Sequence, residues 1–179
     1  LNYESKNSRI IGPKLGRKLL ISCASSLFVS LIAISLYITI RFDKKYALFA
    51  LLALFHDLFI VFGIFSWLGI LLSIEVNSLF AVSLLTIAGY SVNDTVVIFD
   101  RIRENLKLKS ENYNKTIQIS VNESFRRTFF TSITTLIPLI SLILFGSYSL
   151  FWFSVSLSLG IIIGSYSSIL LAPSFLINE

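Results

Sequence analysis

Residues 79–105 read LFAVSLLTIAGYSVNDTVVIFDRIREN. From Leu79 to Phe99 the stretch is apolar apart from short hydroxyl and amide side chains and a single carboxylate, Asp94. At Asp100-Arg101-Ile102-Arg103-Glu104-Asn105 it turns polar. The hydrocarbon core of a bilayer is about 30 Å thick, and a helix rising about 1.5 Å per residue crosses it in about 20 residues. Leu79–Phe99 has that length, so it predicts a transmembrane helix with a charged end.

Working outward, four more apolar runs appear: about 19–40, 46–74, 121–145 and 150–176. The fourth is apolar only from Thr128, with Val121–Arg127 as its charged end. One such run could be a buried soluble helix. Five in succession predict an all-α membrane protein with five transmembrane helices over residues 19–177. A polar segment, 1–18, precedes them, and a cytoplasmic segment, 100–120, interrupts them. Within the latter, Lys107–Asn122 reads as a helical hairpin or surface helix, with a turn at Asn112-Tyr113-Asn114. The composition agrees: 55% of the 179 residues are apolar, only 14% are charged, and mean hydropathy is +0.81. A soluble domain has about 45–50% apolar and about 25% charged residues, so solubility and disorder are both excluded.

The net charge of +5 does not point to nucleic acid, because the basic residues sit at the ends of apolar runs. They set topology instead. Residues 41–45 hold three Lys or Arg and 101–127 hold seven, whereas 75–78 and 146–149 hold none. The two basic segments therefore belong on the cytoplasmic side. Lys6, Arg9, Lys14, Arg17 and Lys18 would then lie outside. A translocated domain upstream would explain that violation, since long domains cross regardless of charge. The absence of Met and the start at Leu1 also suggest part of a longer polypeptide.

Cys23 and His56 are each the only residue of their kind, which excludes an internal disulfide and a multi-histidine metal centre. Cys23, within an apolar run, reads as a buried inert thiol. Asp94 lies six residues before Asp100, about 9 Å inside its helix end. Placing an Asp at a helix centre in the bilayer costs about 2.5–3.5 kcal/mol, so this one should face protein or water. Arg127 falls in the same leaflet, where its guanidinium could pair with Asp94 or pull back to the headgroups. Thr128, Thr131, Ser132, Thr134 and Thr135 form a hydroxyl stripe suited to helix contact or to a file of water. Asp57, beside His56, lies about 16 Å from Tyr46, near the bilayer midplane. It is either a proton-pathway group or an interhelical lock. Gly160, Gly164 and Ser168 put a small residue at every fourth position, a helix-packing pattern.

Gly89-Tyr90-Ser91-Val92-Asn93-Asp94-Thr95, continued through Asp100 and Arg101 to Asn105, closely resembles the signature of the SecF family, the smaller subunit of the SecD–SecF protein-export complex. Ile11-Gly12-Pro13-Lys14-Leu15-Gly16 is similar to that family's glycine-proline motif, and His56-Asp57 and Arg127 to Thr135 fall where it has others. The resemblance implies a helix bundle like that of the resistance-nodulation-division transporters, in the bacterial cytoplasmic (inner) membrane or a related plastid membrane. It implies SecD, a SecY-type channel, preproteins, protons and membrane lipid as partners, and no cofactor or metal. Proton passage would run through Asp94 and Arg127, with Asn93 and Asp57 beside them. The family's first helix and exported domain are absent from this chain, so coupling to substrate would be incomplete here.

Three alternatives belong to other classes. An aspartyl intramembrane protease could pair Asp57 with Asp94, but Asp94 follows Ser91-Val92-Asn93 rather than Gly-x-Gly, so no enzyme is expected. A multidrug exporter of the same superfamily would be longer and duplicated. A purely structural membrane subunit would need no titrating residue.

Overall fold

A computed structural model of the chain describes residues 13–72, 78–108 and 112–177. Five long helices run in sequence: α1 (Pro13–Arg41), α2 (Lys44–Leu72), α3 (Ser78–Leu108), α4 (Tyr113–Phe145) and α5 (Tyr148–Tyr166). A π-helical turn at Ser167–Leu171 joins α5 to a short α6 (Ala172–Ile177). The first four helices, and the rod from α5 to α6, are each long and apolar enough to span a bilayer. The protein is an all-helical, multi-pass membrane bundle. Gly12 lies outside the described residues, and Pro13 opens α1, a position that tolerates its missing N–H.

α3 is the axis of the bundle and packs against α1, α2, α4 and α5. Its Ile87, Ile98, Phe99 and Ile102 are fully buried. α1 and α4 turn Phe28, Leu36, Phe129 and Ile137 outward, as helices bathed in lipid do. Cys23 follows from that arrangement: it is half-buried rather than buried, in a shallow groove with Ser26 of α1 and Val82 of α3.

Two boundaries differ from the sequence expectation. The helical parts of 100–120 continue the spans themselves, because α3 runs on to Leu108 and α4 begins at Tyr113. Arg, Glu, Leu and Lys are good helix formers, and the two projecting ends are stitched together. Asn105 Nδ2 donates to Ser120 Oγ at 2.9 Å, and Arg101 Nε donates to Glu123 Oε2 at 2.7 Å. The last span is no uniform helix either. Pro173 has no N–H to give Ile169 and would crowd that carbonyl. The chain widens one residue earlier, where Ala172 N–H reaches back to Ser167 O.

The α1–α2 turn sits against the end of α3. Arg41 donates to Asp100 Oδ2 at 2.6 Å. Phe42 and Tyr46 meet Phe99 edge-on, with centroids 6.2 and 5.4 Å away. The two basic segments thus share one end of the bundle, as the charge count requires.

Candidate functional site

Asp94 points into the bundle, only 3% exposed, and its Oδ2 has no hydrogen-bond partner. An unsatisfied buried polar atom costs about 1–3 kcal/mol, so a group kept in that condition needs a reason. Its neighbours on α3 divide by face. Asn93 is exposed, while Thr95 is buried and its Oγ1 lies 2.8 Å from Ser168 Oγ. Arg127, across on α4, is exposed and near enough for its charge to act on Asp94, yet no ion pair joins them. The guanidinium instead lines an open cavity of about 420 Å³ that Val97 and Glu104 border on α3 and Glu123 and Ser124 border on α4. Thr128, the next residue, is buried with its Oγ1 also unpartnered.

Asp57 is the better-held acid. It is fully buried on α2, and its Oδ2 accepts Ser91 Oγ from α3 at 2.5 Å and Ser167 Oγ from the π-turn at 2.7 Å. His56 Nδ1 lies 3.1 Å from Oδ1. Ser168 Oγ also donates to Ser91 O at 3.3 Å. Asp57 and Asp94 therefore flank one knot of hydroxyls, the first fully bonded and the second not.

The hydroxyl stripe of α4 bonds mostly to its own helix. Thr131 donates to Arg127 O at 2.8 Å and Thr135 to Thr131 O at 2.7 Å. Only Ser132 crosses helices, lying 2.6 Å from Ser165 Oγ and accepting Tyr90 OH at 3.2 Å. The glycine stripe packs α5 on α3. A β-carbon at Gly160 would fall 2.3 Å from the Ile87 side chain, and one at Gly164 would fall 3.2 Å from Ser91 Cβ. Ser168 extends that stripe by bonding rather than by smallness, since the π-turn brings both Ser167 and Ser168 inward. Gly89 is exposed, with no described residue within 4 Å of where its β-carbon would stand.

The signature splits in two. Ser91, Asp94 and Thr95 face the interior knot, whereas Asp100 and Arg101 tie the helix ends, Arg101 reaching both Glu104 and Glu123 at 2.7 Å. Sequence reasoning missed Ser167 and Tyr90 as partners, and it missed the π-turn. The polar run Ser165-Tyr166-Ser167-Ser168, inside an otherwise apolar helix and ahead of Pro173, was the available signal. Among the described residues, no group of three His, Cys, Asp or Glu side chains could hold a metal ion.

A family profile described as "Protein export membrane protein SecD/SecF, C-terminal" matches residues 1–178. The chain is 58% identical over 167 residues to the protein translocase subunit SecF of Prochlorococcus marinus, covering 93% of this chain and 52% of that one. It is 45% identical to the corresponding subunit of a Synechocystis species, covering 92% and 52% of the two chains. The chain spans about half the length of the curated relatives it matches. A crystal structure of SecDF, a translocon-associated membrane protein from Thermus thermophilus, superposes with a TM-score of 0.85 at 38% identity, over 93% of this chain and 23% of the other. SecDF in its super-membrane-facing form gives 0.79 at 37% identity, over 94% and 22%.

Proposed function

The chain belongs to the SecD/SecF C-terminal family of protein-export membrane proteins, and we propose that it is the membrane part of an accessory subunit that uses the proton gradient to promote preprotein export. It works with SecD beside a SecY-type channel in the bacterial cytoplasmic membrane, performs no catalysis of its own, and uses no cofactor. Asp94 takes up and releases the proton, and Arg127 is its charged counterpart.

The observation that carries this reading is the state of Asp94: nearly fully buried, one oxygen unpartnered, with an unpaired guanidinium within electrostatic reach. A static structural carboxylate would be bonded on both oxygens, as Asp57 is. A carrier must exchange partners, and loss of one biases a two-state bundle only if the two states hold it differently. The test is preprotein translocation into inverted vesicles carrying the whole complex, with and without an imposed proton gradient. Asp94→Asn should assemble normally and lose the gradient-dependent stimulation. Full stimulation in that variant would move the proton to Asp57 or to SecD.

A further inference from the structure

Asp57 occupies a place that a proton carrier does not need. No hydrogen bond or ion pair joins it to Asp94 or Arg127. Its Oδ2 instead collects two hydroxyls from two different helices, Ser91 on α3 and Ser167 on the π-turn. Ser91 lies three residues before Asp94, one turn away along α3. On the other side of Asp94, Thr95 bonds to Ser168, and Ser168 reaches back to the carbonyl of Ser91. The turn of α3 that bears Asp94 is thus fastened at both edges to consecutive residues of one π-turn, and Asp57 fixes one of those fastenings from α2.

The π-turn is what makes this possible. Adjacent residues of a helix point about 100° apart, and here Ser167 turns to Asp57 of α2 while Ser168 turns to Ser91 and Thr95 of α3. In the widened turn both are fully buried. Gly164, one turn earlier, lets α5 come close to Ser91, since a β-carbon there would stand 3.2 Å from Ser91 Cβ. Widened turns of this kind are rare and concentrate at functional sites. One that loses its extra residue rotates everything beyond it.

We propose that Asp57 is a positioning residue: it clasps the π-helical turn of α5 to the turn of α3 that carries Asp94, and release of that clasp carries the protonation change at Asp94 into a movement of α5. The inference rests on the proton-carrier reading of Asp94, but it fails or stands on different measurements. In the clasped arrangement Ser167 bonds to Asp57 and Ser168 to α3, and the end of the rod, with α6, is held against α2 and α4. In the released arrangement the two hydroxyls turn away from Asp57 and Thr95. Both rest on a two-state element, which is the physical requirement for coupling between sites.

The test uses the whole complex in inverted vesicles, with Cys23 replaced by Ser. Thr95→Cys and Ser168→Cys are introduced together, because their hydroxyls lie 2.8 Å apart and a disulfide between them holds the clasp shut. Oxidation should reduce gradient-dependent export by about fivefold or more, the lower end of ordinary coupling, and a reductant should restore it. Export driven without the gradient should be unaffected. A merely structural contact would not be harmed by a bond that fixes it in place, so full activity of the oxidised pair overturns the proposal. Failure of the disulfide to form overturns it also, since the contact itself would then be wrong. Asp57→Ala and Ser167→Ala provide the converse. Each should assemble with SecD yet lose most of the stimulation, whereas Asp57→Asn, which keeps one acceptor oxygen, should retain part of it. Full stimulation in Asp57→Ala would exclude the clasp. If the oxidised pair is blocked while Asp94→Asn is fully stimulated, α5 moves but Asp94 is not what drives it.

Discussion

Gly160 of α5 is pressed against Ile87 of α3, so closely that a β-carbon at 160 would stand 2.3 Å from two of its side-chain carbons. Ile87 is fully buried and has little room to yield. Gly160→Ala should therefore destabilise the bundle by about 1–3 kcal/mol, the usual cost of overpacking. Ile87→Ala in the same chain should recover part of that loss. Thermal unfolding in detergent of the two single variants and the double variant measures both. Equal stability of Gly160→Ala and the parent would mean that the helices stand further apart than described.

Gly164→Leu should do more damage than a packing defect alone. Its side chain would enter the space shared by Ser91 and Asp57 Oδ2, separating the backbones and displacing the carboxylate from its hydroxyls. Both stability and gradient-dependent export should fall. A variant that kept either at the parent level would show that this face of α5 does not meet α3.

Gly89 offers the opposite case. No described residue comes within 4 Å of its absent β-carbon, and exposed Asn93 lies one turn further along. Gly89→Leu should leave the bundle's own melting unchanged and lower the amount of SecD that copurifies, because small residues mark close helix approach. Undiminished copurification would place SecD on another face.

Arg127→Lys should reduce gradient stimulation several-fold with normal assembly, since an ammonium cannot reproduce the forked pairing of a guanidinium. Arg126, which lies over the Phe130 ring at 5.8 Å, should tolerate the same exchange. Translocation with and without the gradient compares the two. Equal behaviour would reduce Arg127 to an interfacial anchor.

The shared end of the bundle sets the topology. Arg41 and Asp100 are in contact, so a cysteine placed at Lys44 should react with an impermeant reagent only from the cytoplasmic side, and one at Ser147 only from outside. Labelling at position 44 in intact cells would reverse the orientation.

The five spans were legible because each is a run of apolar residues long enough to cross the bilayer, a signal independent of tertiary detail. Asp94 and Asp57 were legible because a carboxylate in such a run is conspicuous. The partners were not. Ser91 and Ser167 meet at Asp57 although 76 positions separate them in the numbering, and hydroxyls are common in membrane helices. The π-turn was hidden because Pro173 marks a disturbed hydrogen bond but not how the backbone will absorb it. The helical continuation of α3 past Phe99 was missed for a different reason. Polarity announces the membrane surface, and the helix does not end there.

The hydroxyl pairs between helices have a mechanical meaning. Thr95 with Ser168, Ser132 with Ser165, and Ser83 with Ser156 each join two groups that can both give and accept a proton. In the first two pairs either oxygen could be the donor, whereas Ser156 donates to Ser83. When one helix slides or turns against another, a hydroxyl can rotate about its own C–O bond and find the next oxygen, whereas interlocked branched side chains must climb out of one hole to enter another. Where these hydroxyls lie, the seam of α5 and its π-turn against α3 and α4 can re-pair in small steps, beside the interlocked contact of Gly160 with Ile87.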